Sequence, residues 1–319
     1  MSNYRHLEIN DDVRAEVSNP NLDVKEMEYC VLSSQIELRE LIATNPKLLA
    51  HFAHWMSKDI EHTVREALSG NGSIDPTVVF ELSKDPHLAV VSAASENPIL
   101  NQARLSELAK HRSYIVRTGV ARNASVSLET LKILAKDSEW GVRRSVAENS
   151  KASTELLSEL SREEVDEIQI AVAENQNTTM EIIQYLWSNS KAARKIVLKN
   201  PNCSEEFLLI ALEGALLLRE DQDETWSDDL RGDTTVRENI AERPNLSRKI
   251  IEVIILDPSH YVREKLAANI SLNQDDLSKL SLDEHENVRQ AVVDNPNTSN
   301  ESKAAATLLG LPSKESDDE

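Results

Sequence analysis

The chain has 319 residues, 40 % of them hydrophobic, enough for a sizeable core, and 35 basic against 55 acidic side chains give a net charge of −20. Only 7 glycines, 10 prolines and 2 cysteines occur; this excludes glycine-rich phosphate loops, four-cysteine zinc or iron–sulfur sites and a disulfide framework, and leaves no cofactor to expect. Strong acidity weighs against general nucleic-acid binding, and with no apolar signal region and no apolar run of roughly 18 residues a cytoplasmic protein without a membrane partner is expected.

Along the chain one element pair repeats. The Asn of the recurrent "AEN" stands at Asn19, Asn45, Asn71, Asn97, Asn123, Asn149 and Asn175, always 26 residues apart. Asn200 follows after 25, Arg243 holds the same place in "IAERPN", and Asn269 and Asn295 resume the interval of 26. Four residues after the anchor comes a helix starter, as at Asp75, Asn101, Ser127, Ser153, Thr179, Ser204, Ser247 and Asn273. Such side chains accept a bond from the free N–H groups of a first turn. The leucines that follow recur at helical spacing and predict a helix A. A second starter, Asp59, Asp85, Asp137, Asp257 or Asp283, predicts a helix B with a narrow Val/Ala stripe. The anchor Asn then closes helix B, since Asn tolerates the left-handed conformation that ends helices and can bond nearby backbone.

Two helices of about nine residues cannot stand alone and must stack on neighbouring copies. The fold expected is an all-α, right-handed αα solenoid of about eleven two-helix copies. Its parts are an N-terminal cap at 1–10, the solenoid at 11–300 with an acidic insertion at about 214–233, a capping helix at 301–312 and a disordered acidic tail at 313–319. The pattern D-x-x-x-x-V-R at Asp137–Val142–Arg143, Asp257–Val262–Arg263 and Asp283–Val288–Arg289 resembles HEAT repeats. The short period and the "V-R-x-x-V-A-x-N-P-N" core resemble the variant leucine-rich repeats of bacteria. The resemblance covers about residues 11–300 and implies architecture rather than activity. Members of that family can carry an N-terminal iron–sulfur cluster, for which this chain lacks the cysteines. Helical repeats of this kind also resemble alkyl-purine DNA glycosylases, but no catalytic motif carries over.

Departures from the repeat point to function. An Arg ladder includes Arg65, Arg117, Arg143, Arg263 and Arg289, interrupted by Val91 and Gln169. Its structural reading is a stitch from each Arg to the Asp of its own or the next copy; a ligand-binding stripe is the alternative. Residues 103–144 carry nine basic and four acidic side chains, a net +5 inside a chain of −20. There Tyr114 and Trp140 share one position at the start of helix B, preceded in register by His62 and Leu88, and flanked by Arg112, Arg122 and Arg144. Aromatics among arginines anchor partners or stack bases; they also cover core edges. A 17-residue insertion between Asn200 and Arg243 carries Trp226 in an acidic stretch, either a surface loop or a binding loop. "HFAH", with His51, His54, Glu61 and His62, lacks a third ligand at fixed spacing, so no metal is expected. The function expected is a non-catalytic protein-interaction scaffold, seating a protein partner on Leu88, Arg112, Tyr114, Arg122, Trp140, Arg144 and Trp226. The alternatives are a nucleic-acid-binding or DNA-repair-like protein using the basic strip, or an acidic DNA mimic.

Overall fold

The computed structural model describes residues 9–217 and 228–312, with side chains at 9–214 and 234–312. Every regular element among them is a helix. The chain divides into two compact units between Asn177 and Thr178.

The first unit holds α1 (Asp11–Val17), α2 (Val24–Val31), α3 (Ile36–Ala43), α4 (Ala50–Met56), α5 (His62–Ser69), α6 (Pro76–Leu82) and α7 (Leu88–Glu96). It continues with α8 (Gln102–Leu108), α9 (Tyr114–Arg122), α10 (Leu128–Leu134), α11 (Trp140–Glu148), α12 (Thr154–Leu160) and α13 (Asp166–Glu174). Even-numbered helices here are the A helices and odd-numbered ones the B helices. The second unit holds α14 (Met180–Asn189), α15 (Arg194–Val197), α16 (Glu205–Leu217), α17 (Asp228–Ala241) and α18 (Arg248–Ile254). It ends with α19 (His260–Ala268), α20 (Gln274–Leu280), α21 (Glu286–Asp294) and α22 (Asn300–Leu308). Trp226, part of the acidic insertion, residues 1–8 of the expected cap and the tail at 313–319 lie outside the described residues.

Helix A begins where its starters predict. The side chains of Asp75, Asn101, Ser127, Ser153, Ser247 and Asn273 each accept an N–H bond from the first turn; Thr179 holds the same place without such a bond. Helix B does not begin at its expected starters. Asp59, Asp85, Asp137, Asp257 and Asp283 lie in the connection, and each accepts the N–H two residues on, at 2.8–2.9 Å. This is an Asx turn. The helix starts one residue after that N–H, and Pro86 and Pro258 belong to the turn.

The anchor Asn is also not left-handed. Asn97, Asn123, Asn149, Asn175, Asn269 and Asn295 all have φ between −61° and −72° with extended ψ. Among described non-glycine residues the left-handed conformation is found at Asn245, φ 57°. The anchors instead join copies. Asn123 Nδ2 donates to the carbonyls of Ser95 (2.9 Å) and Asn97 (2.7 Å), 28 and 26 residues earlier, while its Oδ1 accepts the N–H of Ser125 at 2.7 Å. Asn45, Asn71, Asn97, Asn149, Asn175, Asn269 and Asn295 repeat the same pair of donations. All eight are buried. Each staple satisfies backbone groups that the helix end would otherwise leave unpaired away from water. Arg243 performs the same task in its copy: Nη1 donates to the carbonyls of Leu198 and Asn200, across the insertion.

The Arg ladder is a second stitch. Arg117 grips Asp137 of the next copy through Nε (2.5 Å) and Nη2 (2.8 Å) and donates Nη1 to the carbonyl of His111 in its own copy, at 2.8 Å. Arg39–Asp59, Arg65–Asp85 and Arg263–Asp283 have the same form. Arg143 uses Glu163, and Arg289 turns onto the carbonyls of Leu309 and Gly310 at the C-terminal helix end. Burial pushes the Asp137 carboxyl up, but the bonds from Arg117 and from the Glu139 N–H outweigh it and hold the group below its ordinary value. Where Val91 interrupts the ladder, the residue 20 positions on is His111 rather than an acid. Both halves of the pair are absent together, so no buried charge is left alone. Gln169 keeps only the donation to its own copy, to the carbonyl of Glu163 at 2.8 Å.

The B helices of neighbouring copies pack closely because small residues line their contact. Gly119 on α9 faces α7: a Cβ there would meet the Ser92 carbonyl at 2.9 Å and Ser95 Oγ closer still, whereas Gly141 on α11 faces open space. Ser95 Oγ already donates to Ser92 O at 2.6 Å and bridges to Val116 O. Helix propensity favours Ala over Gly by about 1 kcal/mol, but overpacking against backbone costs about 1–3 kcal/mol. Gly119→Ala is therefore expected to lower the urea midpoint and Gly141→Ala to raise it slightly. The same sign for both would show that propensity, not close approach, decides at Gly119.

Candidate functional site

The candidate site lies on the first unit, where the helix B frame aims a set of side chains outward. Burying Val116, Val120 and Ala121 on α9 and Val142, Val146 and Ala147 on α11 fixes the phase of both helices. The first residue of each then faces solvent. Leu88 is 41 %, Tyr114 52 % and Trp140 45 % exposed, and Ile115 adds a further exposed apolar side chain beside Tyr114. Successive copies thus carry Leu88, Tyr114 and Trp140 at one equivalent place.

In two other copies the same place is taken by a ring pair. His62 stacks on His87 at 3.7 Å between centroids, and in the second unit His260 stacks on His285 at 3.6 Å. In each case the partner is the residue preceding the next helix B. At Tyr114 and Trp140 the corresponding residues are Glu139 and Val165, which offer no ring. Tyr114 and Trp140 make no ring contact among the described residues.

The cations expected here separate into two groups. Arg104 is engaged by Ser83 and Glu107, Arg117 by Asp137 and Arg143 by Glu163. Arg122 lies 3.7 Å from Glu96, and Arg144 pairs with Glu148 at 2.8 Å on the outer face of its helix. The guanidinium of Arg112 is exposed and has no ion-pair partner among the described residues. Arg143 and Arg144 are chain neighbours with opposite fates, because one helical step turns the first to the next copy and the second to water.

Three lysines belong to this surface: Lys110 and Lys136 are part of the basic strip at 103–144, and Lys84, outside that strip, was missed by sequence reasoning. Lys84, Lys110 and Lys136 stand four residues before Leu88, Tyr114 and Trp140, all exposed. Each alone reads as a solubilising lysine at a helix end; the 26-residue comb applied to charge finds them. Trp226 is outside the described residues. His51, His54, Glu61 and His62 are not drawn together: His51 packs on Phe52, His54 faces Lys58 and His62 joins His87. No group of three or more His, Cys, Asp or Glu among the described residues is placed to hold a metal. Cys30 and Cys203 are buried free thiols, pushed up by that burial to about 12 and about 11, which leaves them unreactive. No described helix is long and apolar enough to cross a membrane.

No protein-family model and no curated protein matches the chain. Among solved structures, it is similar to one described as a leucine-rich repeat variant with a novel repetitive protein structural motif. That neighbour is of the kind the sequence resembles. The identity is 19 %, over 75 % of this chain and 88 % of the other, with a TM-score of 0.46. The helical repeat itself stands on the staples and clamps of this chain.

Proposed function

We propose that the protein is a non-catalytic scaffold and that its first unit docks a protein partner on the copies bearing Leu88, Tyr114 and Trp140. The observation that carries this reading is the row of large apolar side chains left exposed at one equivalent position on three successive B helices. Aromatic anchors beside Arg are the residue types that dominate protein interfaces. The nucleic-acid alternative is not favoured, since Arg104, Arg117, Arg122, Arg143 and Arg144 already have partners within the chain.

The test is capture of partners from host lysate by the full chain and by the double variant Tyr114→Ala, Trp140→Ala. Truncating exposed rings leaves the fold intact, so the thermal midpoint is expected to stay within a few degrees of the parent. Each anchor lost costs about 2 kcal/mol or more of binding, so the captured protein is expected to disappear from the variant's eluate. Recovery of the same partner in the same yield overturns this site.

A further inference from the structure

In five successive copies of the first unit the residue four places before the helix B start is Lys58, Lys84, Lys110, Lys136 or Arg162, all exposed, whereas before α3 it is Leu32. In the second unit it is Leu256 before α19 and Leu282 before α21. A cation after helix A suits the negative end of its dipole, but that rule applies equally to the copies that carry leucine. It also says nothing of Arg112, which lies beyond the helix end. Lys110, Arg112 and Lys136 have no ion-pair partner among the described residues, in a chain whose net charge is −20. They precede Tyr114 and Trp140 by two to four residues in the sequence.

Acidic side chains bound this window. Glu61 stands before it, and Glu164, Asp166 and Glu167 stand after it. Inside it, Asp85, Glu96, Glu107, Glu129 and Asp137 are paired with Arg65, Arg122, Arg104, Lys132 and Arg117, which leaves Glu139 as the carboxylate without an ion pair among the described residues. The window therefore spans three copies and joins two parallel rows, cationic Lys84–Lys110–Lys136 and apolar Leu88–Tyr114–Trp140.

The step between copies selects the shape of an occupant. Packed helices lie about 8–10 Å apart, and the Gly119–Ser95 approach brings this pair toward the low end. An extended polyproline-II chain advances about 9.3 Å in three residues. A β-strand advances about 6.7 Å in two residues, so it loses register by several ångströms over the window. An α-helix returns to the same face after seven residues, about 10.5 Å, and overshoots at each copy.

We propose that the window takes an extended acidic peptide segment of a partner, in a register of three residues per copy. Apolar side chains at every third position lie on Leu88, Tyr114 and Trp140. Carboxylates between them meet Lys84, Lys110, Arg112 and Lys136. This rests on the docking reading above and specifies its partner's chemistry.

The probe is a displayed library of random dodecapeptides selected on the full chain, followed by fluorescence-polarisation titration of the enriched peptides. Expected are peptides with Asp or Glu between apolar residues three apart. Lys110→Glu with Arg112→Glu, at exposed unpaired positions, is expected to weaken them about tenfold or more with no change in thermal midpoint. Added salt is expected to weaken binding to the parent more than to that variant. Enrichment of neutral or basic peptides, of apolar spacings of two or seven, or of nothing at all overturns the proposal. So does an oligonucleotide that displaces the peptides. Peptides of another spacing that still lose binding to the Tyr114→Ala, Trp140→Ala variant remove the register and leave the docking site standing. Peptides bound equally by that variant remove both.

Discussion

Asn123→Ala is expected to lower the free energy of unfolding by about 3–5 kcal/mol, a large share of the 5–15 kcal/mol typical of a domain. The side chain is fully buried and closes three hydrogen bonds to backbone groups, two of them in the preceding copy. Alanine leaves the Ser95 carbonyl and the Ser125 N–H unpaired, while the Asn97 carbonyl keeps the N–H of Leu100, and each buried group left unsatisfied costs about 1–3 kcal/mol. Asn123→Asp is expected to be no milder, because it keeps the acceptor for Ser125 but turns a second oxygen toward the carbonyls of Ser95 and Asn97. Asn19 is the control: it is the first anchor, exposed, and its side chain accepts the N–H of Asn21 at 2.9 Å. Asn19→Ala is expected to cost about 1 kcal/mol or less. Urea unfolding followed by circular dichroism measures both, and equal losses would show that the anchors act locally rather than between copies.

The second large effect concerns Arg117 and Asp137. Their side chains are 14 % and 7 % exposed, so either charge alone is poorly solvated. Arg117→Val is expected to destabilise by about 3–5 kcal/mol, as breaking a buried pair does. The chain itself contains the remedy, since Val91 is matched by His111. Arg117→Val with Asp137→His copies that natural pair, and is expected to recover most of the loss. The coupling in this double-mutant cycle is the measurement; additive losses would show that the two side chains do not act as a unit. The single variants also shift acid unfolding. Asp137 is held below its ordinary value, so its contribution is present above about pH 4, the unfolded carboxyl range. It is lost as pH falls through the folded value. Arg117→Val removes that part of the acid dependence.

Much of the architecture was legible because the anchor recurs at one interval, and the helix A starters sit where side-chain capping requires them. What the anchors do was not legible. A local explanation, a left-handed Asn closing its own helix, fits the same letters as a staple to carbonyls 26 and 28 residues back. The acids before helix B misled in the same way: Asp85-Pro86 has the letters of a helix start, and only the Arg65 clamp and the Asx turn show why the helix waits until Leu88. At the candidate site Tyr114 and Trp140 stood out as aromatics in register and Lys110 and Lys136 as part of the basic strip, while Lys84 did not, because a single lysine outside the strip carries no signal until the copies are aligned. The outward aim of Arg144 and inward aim of Arg143 depend on helical phase, which the buried valines set.

The staple has a genealogical consequence. It recognises only main-chain oxygen, which every copy presents, so a copy can be duplicated, deleted or followed by a long insertion without any compensating change in its neighbour. Arg243, bonded across the insertion, is such a splice still in register. The Arg clamps are the opposite: they read a side chain, and a copy moved next to Val91 or ahead of His111 would meet the wrong partner. The seam between those two copies therefore accepts only copies without a charge at these places, immediately beside the copies that carry Tyr114 and Trp140.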